Sequence, residues 1–378
     1  MKVLYTALLA LLLFPSCRRQ SGDIDSFLHN AESLMNEHPE DALSIIRHID
    51  RRKIYSSASE ARYALLYSQA LDKNYVDVTS DSLTAVAVNY YDRHGTKHER
   101  AMAHYYQGRV FSNAGNFDAA IRSYSLAEDA ASGTDDYYLL GLINNAVGNL
   151  HYKQYGLDEA QTRYKKAAES FHCAGAFYNE AMNYVALGAV ANLEGDNTQM
   201  ETVYRKAIGI YEEIGAIGKI LPLYEDLIVK TRLNTGDNVS GIKRDLRRYY
   251  AKYNKGEIPL QSLGVWQDIY LRAGELDSAK MCGKLILKHR KSFTAHKIAG
   301  CYVQLEQTEL VCGNYKQAYN YARQYIAVMD SINQEKEASL VLELEQKYRN
   351  RILNQSYENL KQHNDQQRII TGLVLLFS

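Results

Sequence analysis

Three histidines, His94, His98 and His104, are the densest group of potential metal ligands in this 378-residue chain. His94 and His98 are four residues apart, but Gly95 lies between them, so their imidazoles are not expected on one face of a continuous helix. This spacing predicts a solvated loop between helices and no metal site. No GxSxG, HExxH, GxGxxG, GxxxxGKS or GxxxxGKT motif occurs either. The sequence therefore predicts no catalytic residue, no cofactor and no enzyme activity.

Beyond the first 17 residues the sequence has four cysteines and no CxxC pair. Cys301 and Cys312 are expected on one helix, about 16 Å apart along its axis, which is too far for a disulfide. Cys282 and Cys301 are equidistant from an expected turn at residues 291–292 and could face each other across a hairpin. We favour small buried hydrophobic side chains at all four positions, including Cys173, over this disulfide.

The charges of the chain are balanced. Lysine and arginine together number 44, as do aspartate and glutamate. This balance gives no electrostatic reason to expect nucleic acid or an anionic membrane surface as a partner. Tyrosine occurs 31 times, against eight phenylalanines and one tryptophan. Tyrosine suits helical repeats in which a ring is buried while its hydroxyl reaches a wet groove, and its abundance favours a protein ligand over a glycan.

Three segments of the chain repeat at a spacing of 40 residues. Each has a glycine and then a stripe of three residues, with a tyrosine in the middle, at positions i, i+4 and i+7 of one helical face. The glycine and the small stripe residues permit two helices to approach closely. The matching positions are Gly108, Gly148 and Gly188; Ala120, Ala160 and Met200; Tyr124, Tyr164 and Tyr204; and Ala127, Ala167 and Ala207.

This pattern resembles the tetratricopeptide repeat (TPR), lengthened beyond its usual period of about 34 residues. The resemblance implies an all-α fold, a right-handed superhelical solenoid of TPR-like helical hairpins followed by a long helix. The solenoid is expected over residues 18–330, with the clearest repeats at 101–215. Each of these repeats is expected to turn at or beside a glycine in the left-handed conformation, namely Gly115, Gly156 or Gly195.

The flanking segments predict further hairpins, giving about seven in all. The first pairs a helix over residues 23–36 with one that begins at Pro39. The second runs from about residue 57 to residue 93, and Thr79 or Ser80 is expected to cap its second helix. Residues 217–256 are predicted to form a degenerate repeat, and two clearer hairpins follow it.

The resemblance to TPR proteins also implies a ligand groove. In that family the first helix of each hairpin lines a concave face through positions three before and one, four and five after the repeat glycine. These positions are Tyr105, Arg109, Ser112 and Asn113, then Asn145, Asn149, Tyr152 and Lys153, then Val185, Ala189, Asn192 and Leu193. The candidate groove residues are Tyr105, Arg109, Asn113, Asn145, Asn149, Tyr152, Lys153 and Asn192.

These side chains suit a peptide ligand in the concave groove. Asparagine amides donate to and accept from a peptide backbone without reading its sequence, and Arg109 could hold a carboxylate. The clamp by which some TPR proteins grip a peptide C-terminus needs basic groups in the flanking repeats. Val185 and Ala189 occupy those positions here, which argues against that clamp. The alternative is that the polar residues only solvate an accessible face.

The chain opens with Lys2 and an apolar run over residues 3–14. That run is shorter than the roughly 20 residues that span a bilayer, and it has the length of a secretory signal. Pro15-Ser16-Cys17 follows at once and resembles the lipobox of a bacterial lipoprotein, with Phe14 where that family usually has leucine. The resemblance implies a signal peptide over residues 1–17, export, and lipidation of Cys17. The alternative is an ordinary signal peptide followed by a chance cysteine.

Residues 331–368 contain no glycine or proline and carry a narrow apolar stripe that includes Val341, Leu344 and Tyr348. They predict a long polar helix, either a coiled coil that could form a homodimer or a capping helix on the last repeat. Residues 369–378 are apolar, and ten helical residues cover about 15 Å, half of a bilayer core. We expect the start of a transmembrane helix there, with a terminal helix packed on the solenoid as the alternative.

The whole chain, with its leader, its repeats, its polar helix and its apolar end, resembles bacterial envelope proteins in which an exported TPR domain precedes a membrane helix. The resemblance implies a periplasmic sensing or scaffold domain that binds a protein or peptide. It would be held at the membrane by lipid on Cys17, by residues 369–378, or by both. Two alternatives are a freestanding lipoprotein adaptor of outer-membrane assembly and a glycan-binding lipoprotein of the starch-utilisation type. An apolar helix that continued beyond Ser378 would favour the first interpretation, and a stop codon the alternatives.

Overall fold

The computed structural model describes residues 15–233, 236, 238–334, 336, 363 and 366, with side chains from residue 24 onwards. Every regular element within these residues is helical, and the predicted all-α solenoid of TPR-like hairpins is confirmed. None of the described helices is both long enough and apolar enough to cross a bilayer. Residues 1–14 of the predicted leader, most of the predicted long helix and the apolar segment 369–378 lie outside the described residues.

The chain divides into two compact units, and the first contains described residues 15–154. Each of its helices packs on the next, and the first helices of successive hairpins, α1, α3, α5 and α7, also contact one another in order. This is the stacking that repeated hairpins require. The helices are α1 (Pro15–Leu34), α2 (Pro39–Arg47), α3 (Ser57–Lys73), α4 (Thr84–His94), α5 (Lys97–Asn113), α6 (Phe117–Ala131) and α7 (Tyr137–Lys153).

The second unit contains described residues 155–334. It follows the same plan of helices joined by short turns, and a π-helical turn, Val229–Leu233, extends its fourth helix. The helices are α8 (Leu157–Cys173), α9 (Phe177–Glu194), α10 (Asn197–Glu213), α11 (Ile220–Ile228), α12 (Val239–Tyr253), α13 (Leu263–Arg272), α14 (Leu276–Lys288), α15 (Ala295–Val311) and α16, residues 315–334.

Helix boundaries agree with the sequence in part. Helix α2 begins at Pro39 as predicted, while α1 begins at Pro15, earlier than residue 23. The expectation that Thr79 or Ser80 caps α4 was wrong, because that helix begins only after Leu83 and has no side-chain cap. Ser80 instead donates through Oγ to another serine in the loop at 3.1 Å. The connection between α3 and α4 is therefore ten residues long.

The predicted turn glycines are correct at two of the three repeats. Gly115 and Gly195 have φ angles of +70° and +76°, in the left-handed region that glycine adopts most readily. At the middle repeat Tyr155 takes this conformation, with φ of +59°, and Gly156 caps α8 at φ −78°. The role assigned to Gly156 was therefore wrong by one residue.

Gly108 and Gly188 lie beneath tyrosine rings. In the α5–α6 hairpin, a Cβ added to Gly108 would lie 2.5 Å from Cε1 of Tyr124, and in the α9–α10 hairpin one added to Gly188 would collide with the ring of Tyr204. Both rings are buried, so no larger residue fits opposite them. The stripe residues around the rings are completely buried, as predicted: Ala120, Ala127, Ala160, Ala167, Met200 and Ala207.

The degenerate repeat forms α11 and α12 and is held by a buried polar cluster. The hydroxyls of Tyr250 and Ser262 both donate to Oε1 of Glu225, at 2.7 and 2.6 Å. Nε1 of Trp266 donates to the Tyr250 hydroxyl at 2.9 Å. Burial and the neighbouring Glu225 carboxylate raise the pKa of Tyr250, so this hydroxyl remains protonated and able to donate.

The cysteines differ from the prediction at two positions. Cys282 and Cys301 are buried and free, so the disulfide between them is not formed, but Cys173 and Cys312 are exposed. The expectation of four buried thiols was therefore wrong for these two, which lie at or just after helix ends. Burial raises the pKa of the Cys301 thiol to about 12, so Cys301 has little thiolate and low reactivity.

We predict that Gly188→Ala destabilises the protein by about 1–3 kcal/mol, because the added methyl group overlaps the buried Tyr204 ring. Gly209→Ala is the matched control, since Gly209 also lies inside a helix but nothing approaches its added Cβ within 4 Å. That change should stabilise by about 0.5–1 kcal/mol. Urea unfolding followed by circular dichroism measures both. Equal shifts in the two variants would contradict the packing described here.

Candidate functional site

The candidate groove residues lie on three helices. Tyr105, Arg109 and Asn113 are on α5, and Asn145, Asn149, Tyr152 and Lys153 are on α7, so these seven belong to the first unit. Asn192 is on α9 in the second unit. The positions expected to be equivalent differ strongly in exposure and in their contacts.

Tyr105 does not reach a groove. Its side chain is only 5 % exposed, and its ring packs on those of Tyr106 and Tyr124 at centroid distances of 5.0 and 6.0 Å. Burial raises its pKa far above the usual value. The expectation that this residue faces a ligand was wrong, because the aromatic cluster between α5 and α6 takes the ring into the core.

Arg109 already has a carboxylate partner within the chain. Its Nε donates to Oδ1 of Asp72 on α3 at 2.8 Å, and the two side chains are 33 % and 22 % exposed. Burial raises the pKa of the Tyr124 hydroxyl, and the nearby Arg109 guanidinium counteracts part of that rise. Arg109 therefore does bind a carboxylate, but this carboxylate belongs to the neighbouring hairpin and not to a ligand.

Asn113 contacts the long connection between α3 and α4. Its Nδ2 donates to the backbone carbonyl of Val78 at 3.4 Å. A cavity of about 20 Å³, enough for one water molecule, lies between this connection and helices α3 and α5. Its lining is Ser68, Leu71, Asp72, Val76, Val78, Ser80, Leu83, Thr84, Tyr106, Arg109, Val110 and Asn113.

Helix α7 presents one accessible stripe. Between residues 139 and 150 most positions are buried and only Asn149 is exposed. The accessible positions follow the helical spacing i, i+4, i+7, i+11 and i+14 along one face. They are Tyr138, Leu142, Asn145, Asn149 and Tyr152, of which Leu142, Asn145 and Tyr152 are half-buried, and Lys153 is exposed beside them.

The two asparagines of this stripe are linked to each other. Nδ2 of Asn149 donates to Oδ1 of Asn145 at 3.1 Å, so the amides are held along the helix one turn apart. An amide carries two donors and a carbonyl with two lone pairs, so each of these groups can take part in more than one hydrogen bond. The stripe thus combines ordered amides with the rings of Tyr138 and Tyr152.

The corresponding stripe of α9 has different chemistry. Asn192 is half-buried, and the other accessible positions on this face are mainly apolar. Tyr178, Met182 and Leu193 are each more than a third exposed, and Val185 lies half-buried among them. Asn192 therefore stands beside an apolar surface, without the asparagine pair that marks α7.

The histidines singled out by the sequence differ in their exposure and in their partners. His98 is exposed and pairs with Asp136. His104 is buried in α5, and its Nε2 lies 2.8 Å from Oδ1 of Asp92, so the expectation of a solvated loop was wrong for this residue. No group of three histidine, cysteine or acidic side chains is placed to hold a metal ion in the part of the chain that the structure describes.

Sequence reasoning missed Asp72, the α3–α4 connection and two members of the α7 stripe. Tyr138 and Leu142 could have been found by extending the spacing of Asn145 and Asn149 towards the start of the helix. The sequence does indicate a long connection between α3 and α4, because polar and β-branched residues stand there in place of the short glycine turn of the other repeats. Asp72 had none, since acidic residues at helix ends are common.

Neither a protein-family model nor a curated protein matches this chain. A solved structure of a Rap protein complexed with competence and sporulation factor is 12 % identical over 83 % of this chain and 99 % of its own, with a TM-score of 0.41. Aspartyl phosphate phosphatase F from Bacillus subtilis is 11 % identical over 81 % and 94 %, with a TM-score of 0.47. The apo quorum sensor NprR from B. thuringiensis is 14 % identical over 82 % and 99 %, with a TM-score of 0.44. Similarities at this level carry no information about ligand or activity.

We predict that Asp72→Ala lowers stability by about 1–3 kcal/mol, because it leaves the partly buried Arg109 guanidinium without its acceptor. Adding Arg109→Met should recover part of the loss, since the uncompensated charge is then removed. The control is Glu60→Ala, which breaks the more exposed pair with Arg51 and should change stability by less than about 1 kcal/mol. Urea unfolding of the four proteins measures this. A loss that persists unchanged in the double variant would contradict the assignment.

Proposed function

We propose that this chain is a non-enzymatic, peptide-binding TPR domain of a bacterial envelope protein, and that the stripe of α7 is the centre of its binding site. The observation that carries the proposal is the composition of that stripe. Between residues 139 and 150 most positions of this helix are buried, and its accessible stripe carries two asparagines, with Tyr138 and Leu142 before them and Tyr152 after them.

The stripe suits an extended backbone. Asn145 and Asn149 lie about 6 Å apart along the helix axis, close to the 6.6–6.8 Å that separates alternate residues of an extended strand. Each amide could therefore pair with the backbone of every second ligand residue. The tyrosine rings and Leu142 would cover apolar ligand side chains, and rings of this kind contribute contact area with little loss of rotamer entropy.

We also propose that the domain works on the periplasmic side of a bacterial membrane. The support is the sequence of the leader, which ends in Pro15-Ser16-Cys17. In this proposal lipid on Cys17, residues 369–378, or both hold the domain at the membrane, and binding of a peptide or protein is passed on from there. A homodimer through residues 331–368 is part of the same proposal.

The binding proposal is tested with Asn145→Ala/Asn149→Ala. A soluble form beginning after Cys17 is screened against an array of random decapeptides, and the best binders are measured by fluorescence anisotropy. Loss of two hydrogen bonds at about 1 kcal/mol each should weaken binding by roughly 30-fold. The control is Asn89→Ala/Ser125→Ala, which changes two exposed positions on α4 and α6 and should leave binding unaltered.

Two results would count against this site. Either no peptide binds the wild-type protein above background, or the α7 double variant and the control bind alike. A large loss of stability in the α7 variant would instead show that the amides are structural.

The anchoring proposal is tested in cells labelled with palmitate. We expect the wild-type chain to carry label and globomycin to make its precursor accumulate. Cys17→Ala should abolish the label, because the thiol that accepts lipid is gone. Cys173→Ala, which removes an exposed cysteine of the folded domain, should keep it. Processing without label in the wild type would rule out lipidation and favour the ordinary signal peptide.

A further inference from the structure

The connection between α3 and α4 is longer than the other connections within hairpins of the first unit. It takes ten residues, 74–83, whereas α5 and α6 are joined by three residues and α9 and α10 by two. A two- or three-residue turn is sufficient to reverse a helical hairpin. The additional residues are therefore not needed to join the helices, and their position in the structure suggests another role.

Part of this connection lies against α5. Residues 76–80 have no regular secondary structure, and we call them the strap. The strap is fixed at its start by a hydrogen bond from the amide of Val76 to the carbonyl of Leu71 at 3.0 Å. In its middle the carbonyl of Val78 accepts from Asn113. The Val78 side chain is half-buried against the core formed by α1, α2 and α3, and it lines the cavity together with residues of α5.

The residue before the strap is strained and exposed. Tyr75 has φ of +57°, a conformation that is unfavourable for a large aromatic residue, and its side chain is 95 % exposed. Its ring thus gains nothing from burial that would offset the strain. The chain leaves α3 at this residue, in the conformation that Tyr155 adopts after α7.

We propose that the strap is an intramolecular substitute for a peptide ligand, and that an extended peptide with a β-branched apolar side chain binds α5 when the strap moves away. The chemistry is that of the proposed function, on which this inference rests. An asparagine amide donates to a backbone carbonyl, and a valine side chain lines the cavity next to it. The strap places its own backbone where the TPR resemblance places a ligand.

The space beneath the strap makes the two states exclusive. The cavity there holds about one water molecule, so a peptide cannot enter while the strap is in place. A tethered segment competes at an effective concentration of about millimolar. If the strap is closed nine-tenths of the time, the apparent affinity for an external peptide falls about tenfold. The strap would then set a threshold for binding at α5.

The test uses a labelled peptide that copies residues 74–83, with blocked ends, and its scrambled sequence. In one variant residues 75–82 are replaced by the Gly-Asp turn that joins α9 and α10. We expect this variant to bind the copied peptide at least tenfold more tightly than the intact protein does, and to discriminate against the scrambled one. Adding Asn113→Ala to the variant should weaken the binding of the copied peptide.

A pair of point variants tests the same inference without shortening the chain. Val78→Asp places a charge at a half-buried position and should open the strap, which raises peptide affinity. Thr79→Asp adds the same charge at an exposed neighbouring position and should leave affinity at the intact level. Circular dichroism confirms that each variant is folded, and the point variants decide the matter if the replacement variant does not fold.

The inference is overturned if the folded replacement variant binds the copied and scrambled peptides alike, or if the two point variants give the same affinity. This outcome is distinct from failure of the proposed function. Binding at α5 that is unaffected by Asn145→Ala/Asn149→Ala would remove the α7 site and keep the strap. Binding at α7 that is unaffected by every strap variant would remove the strap and keep the α7 site.

Discussion

The packing of a buried tyrosine ring directly over a glycine is the contact on which the regular hairpins depend. At Gly108 and Gly188 a single methyl group would overlap the ring of Tyr124 or Tyr204. The pair therefore fixes how closely the two helices of each hairpin approach and how they are rotated about their axes. Which candidate binding residues are accessible then depends on the neighbouring helices as well, since Tyr105 is buried and Asn149 is exposed.

The degenerate repeat shows what replaces this contact when the pattern is lost. Around α11 and α12 the Glu225 carboxylate is buried with the hydroxyls of Tyr250 and Ser262 as donors. A buried carboxylate needs such donors, because an unsatisfied one is strongly unfavourable. Hydrogen bonds among buried polar side chains thus replace the close packing of glycine and tyrosine in this hairpin. The composition of the core changes, but the fold does not.

The sequence predicted the fold well and the site only in part. The 40-residue period identified the hairpins, the buried stripe and two of three turn glycines, because these depend on spacing within one or two helices. It misplaced Tyr105, because the burial of that ring depends on the partner helix. It missed the pairing of Arg109 with Asp72, which are 37 residues apart, and it misplaced the start of α4, since the strap contains several residues able to cap a helix. Such contacts between hairpins leave no local signal.

Close packing and charged or polar pairs act at different levels of the structure, the first within a hairpin and the second between hairpins. Glycine and tyrosine pair within a hairpin, whereas Arg62–Glu32, Arg109–Asp72 and His104–Asp92 join successive hairpins of the first unit. In a nearest-neighbour description of repeat proteins, the first kind sets the intrinsic folding energy of a hairpin and the second adds to the coupling between hairpins. Salt screens the two arginine–carboxylate pairs far more than the apolar contact. A rise in ionic strength would therefore weaken the coupling between neighbouring hairpins while each hairpin stays folded.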